Sequence, residues 1–320
     1  MAFKLTENGD LIMKKIFVNL KRFEVSKKEG GICPIDDPLL WIDEIMKDSI
    51  KLGLGCLDNV FISYFLPEAL IPTALNALSD FDEAKKLRFA IGCQSVFRED
   101  IVPGGNFGAF TSNRPAKAMK ALGCEWALIA HSEERRDKLQ MLATYDSNIN
   151  EDQKAAEKAY ETVDKLVREE VKRAREAGMN VVFCIGESSE QKGTGDFDDF
   201  APRVRRVLEN QLRNGLEGLN FEDGKEIVIG YEPIWAIGPG KTPPESDYIS
   251  FVSEHIKKVT KDLFGKPLDV VYGGGLKEEN AESIASIETI DGGLVALTKF
   301  VQPIGFDPQS LFNIVSAYTK

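Results

Sequence analysis

Residues 154–187 read KAAEKAYETVDKLVREEVKRAREAGMNVVFCIGE, and they hold one complete unit of the fold. Ala156, Ala159, Val163, Leu166, Val167, Val171 and Ala174 recur at helical spacing, and Gly178 stops the pattern. Asn180–Gly186 then follows as a continuous apolar run, without the polar alternation of a half-exposed strand. A strand buried on both faces reads this way, and such strands belong to parallel sheets. Outward from this unit, runs of the same kind recur at Ile16–Leu20, Val60–Phe65, Phe89–Ser95, Ala127–Ala130, Ile227–Tyr231, Leu268–Tyr272 and Gly293–Leu297. Helical patterns fill the gaps. Leu39, Ile42, Ile45 and Met46 follow Asp37-Pro38, and Val204, Val207, Leu208, Gln211 and Leu212 form a stripe with one polar member. Asp307-Pro308 opens the last helix with an N-cap and a proline in its first turn. Strand and helix thus alternate eight times, which predicts an α/β protein closed as a (β/α)8 barrel. An open doubly wound sheet is the rival. It more often has fewer strands and a glycine-rich first turn, whereas the first turn here is Asn19-Leu20-Lys21.

The length of 320 residues is enough for two domains, but no shift of composition marks a boundary. Residues 1–13 read as an N-terminal extension and residues 14–320 as one barrel domain. Extra length falls at Arg22–Asp37, Arg98–Asn106, Asp137–Gln153 and Ser188–Phe200, expected as elaborated loops or longer helices. Apolar residues make up 43% and charged residues 28%, an ordinary globular balance that excludes disordered and fibrous classes. Forty basic against 51 acidic residues give a net charge of -11, which argues against a nucleic-acid partner. Cys33, Cys56, Cys93, Cys124 and Cys184 form no C-x-x-C pair. With only His131 and His255 beside them, no metal signature assembles. This cysteine usage points to a reducing cytoplasm. Neither a signal peptide nor an apolar run long enough to span a membrane is read.

In a barrel of this kind the site is built at the C-terminal ends of the strands. Strand one ends in Asn19 and Lys21, strand four in His131-Ser132-Glu133, strand five in Cys184-Ile185-Gly186-Glu187, strand six in Tyr231-Glu232-Pro233 and strand seven in Tyr272-Gly273-Gly274-Gly275. A lysine, a histidine and a glutamate therefore converge from three strands. Such a set suits proton abstraction beside a carbonyl: the carboxylate takes the carbon-bound proton, a neutral imidazole polarises the carbonyl, and the ammonium offsets the negative charge. Gly238, Gly240 and Gly273–Gly275 leave backbone N–H groups open toward an anion. Taken singly, Lys21 reads as a surface lysine, Glu232 as an ion-pair partner and His131 as a helix-start residue. Their joint placement carries the functional reading. His255 reads as a helix-face histidine and Cys184 as a buried packing thiol. Gly240-Lys241-Thr242 is no phosphate-binding P-loop, because Trp235 stands where that motif needs glycine.

Tyr231-Glu232-Pro233-Ile234-Trp235-Ala236-Ile237-Gly238-Pro239-Gly240-Lys241-Thr242 closely resembles the catalytic-base and lid motif of the triosephosphate isomerase family. His131-Ser132-Glu133-Glu134-Arg135-Arg136 resembles the family's His-Ser-Glu-Arg-Arg, and Asn19-Leu20-Lys21 its Asn-x-Lys. Cys184-Ile185-Gly186-Glu187 and Tyr272-Gly273-Gly274 match further signatures, and Gly108-Ala109-Phe110-Thr111 resembles the third loop, which in this family inserts into a partner subunit. The motifs run in the family's order from about residue 15 to the C-terminus. The resemblance implies a TIM barrel and a cofactor-free aldose–ketose isomerisation of a small phosphorylated sugar, dihydroxyacetone phosphate with glyceraldehyde 3-phosphate, as in glycolysis and gluconeogenesis. It implies Glu232 as base, His131 as electrophile, Lys21 as electrostatic clamp, Glu133 beside them and Asn19 orienting the lysine. Gly238, Gly274 and Gly275 would bind the substrate, with 233–242 as the lid, in a homodimer. A neutral histidine at a helix start beside a glutamate base is the long-known arrangement for this family, so those roles are not a new deduction.

Five departures accompany the resemblance. The histidine motif carries one residue more, so Glu133 or Glu134 takes the glutamate role, and distance from His131 favours Glu133. Gly275 stands where the family has serine. The eighth strand reads Leu294-Val295-Ala296-Leu297, where the family has the paired glycines that grip phosphate. Pro239 and Pro243 stiffen the lid, and the first loop is longer. The chemistry end is thus intact while the phosphate end is altered. Two further readings follow: a paralogue isomerising another small sugar phosphate such as a tetrulose phosphate, and a non-catalytic metabolite-binding barrel.

Overall fold

The computed structural model describes residues 13–219, 223–238 and 240–320. Eight parallel strands close on themselves in chain order: β1 (Lys14–Asn19), β2 (Val60–Leu66), β3 (Phe89–Cys93), β4 (Trp126–Ile129), β5 (Asn180–Ile185), β6 (Ile227–Tyr231), β7 (Asp269–Tyr272) and β8 (Gly292–Val295). β8 pairs back onto β1, with Phe17 in register with Leu294. This is a (β/α)8 TIM barrel. Its outer layer holds α1 (Pro38–Lys51), α2 (Ile71–Ser79), α3 (Ala116–Ala121), α4 (Ser132–Tyr145), α5 (Gln153–Glu176), α6 (Ser189–Lys192), α7 (Phe197–Leu216), α8 (Ser246–Phe264), α9 (Glu278–Ala285) and α10 (Pro308–Tyr318). No helix among the described residues is long and apolar enough to cross a membrane.

The strands read as continuous apolar runs because both of their faces are buried. Phe17, Phe65, Trp126, Leu128, Val182 and Val228 belong to the cluster that fills the barrel, and Phe17 lies 5.0 Å from Trp126 between ring centroids. Their neighbours in sequence, such as Ile16, Val18, Val181 and Phe183, belong to a second cluster shared with the helices. Inner and outer positions alternate, yet both are apolar, so period two vanishes from the sequence. The helix starts are set locally. Asp37 accepts the N–H groups of Leu39 and Leu40, Asp152 that of Ala155, and Asp307 that of Ser310.

Several sequence expectations shift at their edges. The lengthened stretch after β1 forms a loop with one 3-10 turn, Lys27–Glu29, and the stretch at 188–200 holds α6 and the start of α7. β8 stops at Val295, two residues short of the expected run, so Ala296 and Leu297 lie beyond the strand and are half-buried. Of the expected extension at residues 1–13, only Met13 lies within the described residues, and Pro239 of the expected lid lies outside them.

Candidate active site

The end of β1 delivers Asn19 and Lys21. Lys21 sits at φ 45, in the left-handed region where a side-chain-bearing residue costs about 1–3 kcal/mol. The turn is held by hydrogen bonds that offset this. Asn19 Oδ1 accepts the Lys21 N–H at 3.0 Å, and Gln94 Nε2, from just past β3, donates to Asn19 Oδ1 at 3.0 Å and to the Lys21 carbonyl at 2.9 Å. The ammonium that results meets Glu133 Oε1 at 3.0 Å. Gln94 was not singled out in the sequence. Its polarity near the end of the Phe89–Ser95 run was its only signal.

At the end of β4, Ala130 also has positive φ, 65, and turns the chain so that His131 caps α4. The Glu133 N–H donates to His131 Nδ1 at 3.3 Å. In the tautomer that accepts this bond, Nδ1 carries no proton and the ring proton sits on Nε2. The two glutamates that follow part company. Glu133 faces Lys21 and His131. Burial works to raise its carboxyl, but the Lys21 ammonium, then His131, outweigh this and hold it below the usual carboxylate value. Glu134 turns away: its Oε1 accepts from Ser95 Oγ at 2.6 Å and its Oε2 from the Ala130 N–H at 2.7 Å. Arg135 donates from Nε to the Ala130 carbonyl at 3.0 Å and pairs with buried Asp164 at 2.5 Å. Glu134 and Arg135 therefore brace the turn that aims His131.

β6 delivers Glu232, which is 3% exposed. His131 Nε2 lies 3.0 Å from Glu232 Oε1, and the Ser132 N–H donates to Glu232 Oε2 at 3.0 Å. Close packing fixes its backbone. A Cβ built on Gly186 would lie 1.8 Å from the Glu232 carbonyl oxygen, so only glycine lets β5 and β6 approach here. Gln211, the polar member of the α7 stripe, grips Gly186 twice at 2.9 Å, donating to its carbonyl and accepting from its N–H. Cys184 is fully buried, and burial followed by the charge of Glu232 pushes its thiol well above the ordinary value. His255 lies in α8 with Nε2 3.0 Å from the Arg205 carbonyl.

Lys21, Glu133, His131 and Glu232 thus form one contact chain across the ends of β1, β4 and β6. The glycines stand beside it rather than within it. The Gly273 N–H donates to the Tyr231 carbonyl at 2.8 Å, and a Cβ on Gly273 would lie 3.2 Å from Glu232 Cγ, which seats the turn after β7 against the glutamate. Tyr272 donates its hydroxyl to the Gly274 carbonyl at 3.0 Å, and Gly275 has φ 98 with open space where a Cβ would stand. After Glu232 the chain makes a 3-10 turn, Ile234–Ala236, and reaches Gly238 at φ 122. Trp235 of that turn donates its indole N–H to Glu187 Oε1 at 2.7 Å, and the hydroxyls of Tyr248 and Tyr231 donate to the same oxygen at 2.6 and 3.0 Å. Burial raises the Glu187 carboxyl against these three donors. A cavity of about 460 Å³ opens on the Lys21 side, lined by Asn19, Gln94, Phe97, His131, Glu133 and Met141 among others.

The triosephosphate isomerase family model matches residues 67–301, which take in His131, Glu232 and the glycines but begin after Asn19 and Lys21. The chain is 32% identical to a triosephosphate isomerase of Chloroherpeton thalassium over 232 residues, 71% of this chain and 77% of that one. It is also 32% identical to one of Alkaliphilus metalliredigens over 235 residues, 71% of this chain and 79% of that one. The crystal structure of a triosephosphate isomerase from Bartonella henselae covers 97% of this chain and 100% of its own at a TM-score of 0.64 and 22% identity, a likeness of fold. The barrel, the order of its motifs and the extent of these matches together establish that this chain belongs to the triosephosphate isomerase family.

Proposed function

We propose that the chain interconverts dihydroxyacetone phosphate and glyceraldehyde 3-phosphate through an enediolate, without a cofactor. The supporting observation is the approach of His131 Nε2 to Glu232 Oε1 at 3.0 Å beside a Lys21 ammonium tied to Glu133. Substrate takes the place of the His131–Glu232 contact. Glu232 removes a carbon-bound proton as the Nε2 proton of neutral His131 is shared with the substrate carbonyl. The ammonium of Lys21 offsets the charge that builds on oxygen, and Asn19 and Gln94 hold its backbone in place. Glu232 then returns the proton to the neighbouring carbon. The N–H groups at Gly238, Gly274 and Gly275 face the phosphate. Residues 233–242 close over the intermediate, because an enediol phosphate left in water eliminates phosphate. Steady-state assay of wild type and Glu232→Ala in both directions tests this. Turnover by wild type and its collapse in the variant are expected, and equal rates would refute the assignment.

A tetrulose phosphate is the second reading. The open space at Gly275, and Ala296 and Leu297 standing past the end of β8, favour a rearranged phosphate end. Comparing kcat/KM for triose and tetrose phosphates decides between them.

We further propose a homodimer working in the cytoplasm, where thiols stay reduced. The loop between β3 and α3 carries Phe107 at 88% exposure and Val102 at 55%, and the cavity beside Lys21 offers Phe97 and Met141 to the same loop of a second copy. All five cysteines are unpaired.

A further inference from the structure

Just past β3 and β4 the chain passes through positive φ at residues that are not glycine, Ser95 at 95 and Ala130 at 65. Both turns serve the site. Ala130 precedes His131, and Ser95 follows Gln94, whose amide donates to Asn19 Oδ1 and to the Lys21 carbonyl. One carboxylate pins both turns. Glu134 Oε2 accepts the Ala130 N–H at 2.7 Å, and Glu134 Oε1 accepts from Ser95 Oγ at 2.6 Å. The turn that carries the imidazole and the turn that braces the ammonium are therefore tied together through a single side chain.

Glu134 is itself held from behind. Lys138, one helical turn further along α4, donates from Nζ to Glu134 Oε1 at 2.8 Å and meets Glu170 Oε1 of α5 at 3.0 Å. Glu170 is 3% exposed. Its Oε2 is sealed from water, and no hydrogen-bond donor among the described residues reaches it. A bare carboxylate oxygen so placed is costly, whereas a carboxylic acid needs only an acceptor for its proton. Glu134 stands within hydrogen-bonding reach as that acceptor. Burial first, and then the charge of Glu134, push the Glu170 carboxyl well above the ordinary carboxylate range, against the pull of Lys138. Burial also works to raise Glu134, but Lys138, Glu170 and Ser95 outweigh it and hold that carboxyl below its ordinary value. The cluster thus consists of one anion, one cation and one neutral acid, and its charges cancel where little solvent reaches.

We propose that Lys138 and Glu170 are positioning residues for the isomerisation: acting through Glu134, they lock the two turns that set His131 and Lys21 against each other. The effect on turnover rests on the isomerase reading, but the lock itself does not. Lys138→Met removes the cation and leaves two acids facing each other, so both turns lose their common anchor. A misplacement of about 1 Å costs on the order of a hundredfold in rate, and a partial shift should lower kcat about tenfold. KM should move less than about threefold, because the phosphate end of the site is untouched. Glu170→Met keeps the bulk and removes the proton donor. It acts in the same direction and serves if Lys138→Met does not fold. Glu170→Gln keeps a neutral donor toward Glu134 and should hold kcat within about twofold of wild type.

The test reads the ring of His131 directly, by NMR of the full chain carrying 15N-labelled histidine. The chain has two histidines, so His255→Gln identifies the His131 signals. Without substrate, Lys138→Met and Glu170→Met are expected to shift the His131 ring nitrogens and to leave those of His255 in place. Glu170→Gln should match wild type. A merely structural role would lower the melting temperature of the variants while leaving the ring signals and kcat unmoved. Folded Lys138→Met and Glu170→Met proteins with wild-type ring signals and kcat would overturn the proposal, as would a Glu170→Gln protein as impaired as Glu170→Met. The spectra need no turnover. A displaced ring in a chain without isomerase activity sinks the isomerase reading alone, whereas turnover indifferent to both Lys138 and Glu170 sinks this proposal alone.

Discussion

Shortening the base by one methylene is a sharp perturbation of this site, because everything around Glu232 is fixed. Its backbone N–H donates to the Ile185 carbonyl at 2.8 Å, and Gly186 packs against its carbonyl with no room to give. Glu232→Asp therefore withdraws the carboxylate by about 1.5 Å, the length of one carbon–carbon bond, and the backbone does not follow. A displacement of about 1 Å at a reacting centre costs on the order of a hundredfold in rate, so kcat should drop roughly 10²- to 10³-fold, or about 3–4 kcal/mol of barrier. Stability should change by no more than about 1 kcal/mol, since the charge is retained and the Ser132 N–H can still be satisfied by the shorter acid or by water. The assay is steady-state kinetics in both directions beside a urea melt of the same preparation. A folded variant with an unchanged kcat would refute the role of Glu232, and a loss of rate that merely tracks loss of fold would refute the geometric reasoning.

Four further outcomes are expected. Glu133→Gln removes the anion that fixes Lys21, and kcat/KM should fall about tenfold in the assay as the ammonium loses its position. The same variant tests a pH dependence. The Glu133 carboxyl titrates below its ordinary 4.5 in the folded chain, so the stability it adds is present above pH 4.5 and is lost as the pH falls through the lowered value. Wild type and Glu133→Gln should therefore differ in urea midpoint at pH 6 and converge in acid, and a constant gap would contradict the assignment. Gly186→Ala drives a methyl into the Glu232 carbonyl and should cost about 1–3 kcal/mol in thermal melting, with a loss of rate exceeding what the melt explains. Phe107→Asp places a charge on the exposed loop tip, and light scattering should show a dimer for wild type and a monomer for the variant.

The barrel was legible because each strand is buried on both faces, which leaves short unbroken apolar runs separated by helical stripes. The ends of those runs were less legible. The β8 run looked two residues longer than it is, since Ala296 and Leu297 are apolar and half-buried yet follow the last barrel pair. The Lys21, His131 and Glu232 set could be assembled from strand order alone. The groups that aim it could not, since Gln94 and Arg135 act on the Lys21 and Ala130 carbonyls and Ser132 acts through its own main-chain N–H, and main-chain atoms have no residue identity to read. Gln211 announced itself only as a polar residue on an apolar stripe, and its partner is likewise a main-chain N–H and carbonyl pair at Gly186.

The central claim is that one carboxylate, from β6, moves a proton on and off a small sugar phosphate whose oxygen His131 and Lys21 hold. The direct measurement is deuterium incorporation from heavy water into dihydroxyacetone phosphate, followed by NMR. Wild type should introduce deuterium at the carbon bearing the free hydroxyl, and Glu232→Ala should introduce none above the uncatalysed rate. Dihydroxyacetone phosphate recovered without label from folded wild-type protein would contradict the account.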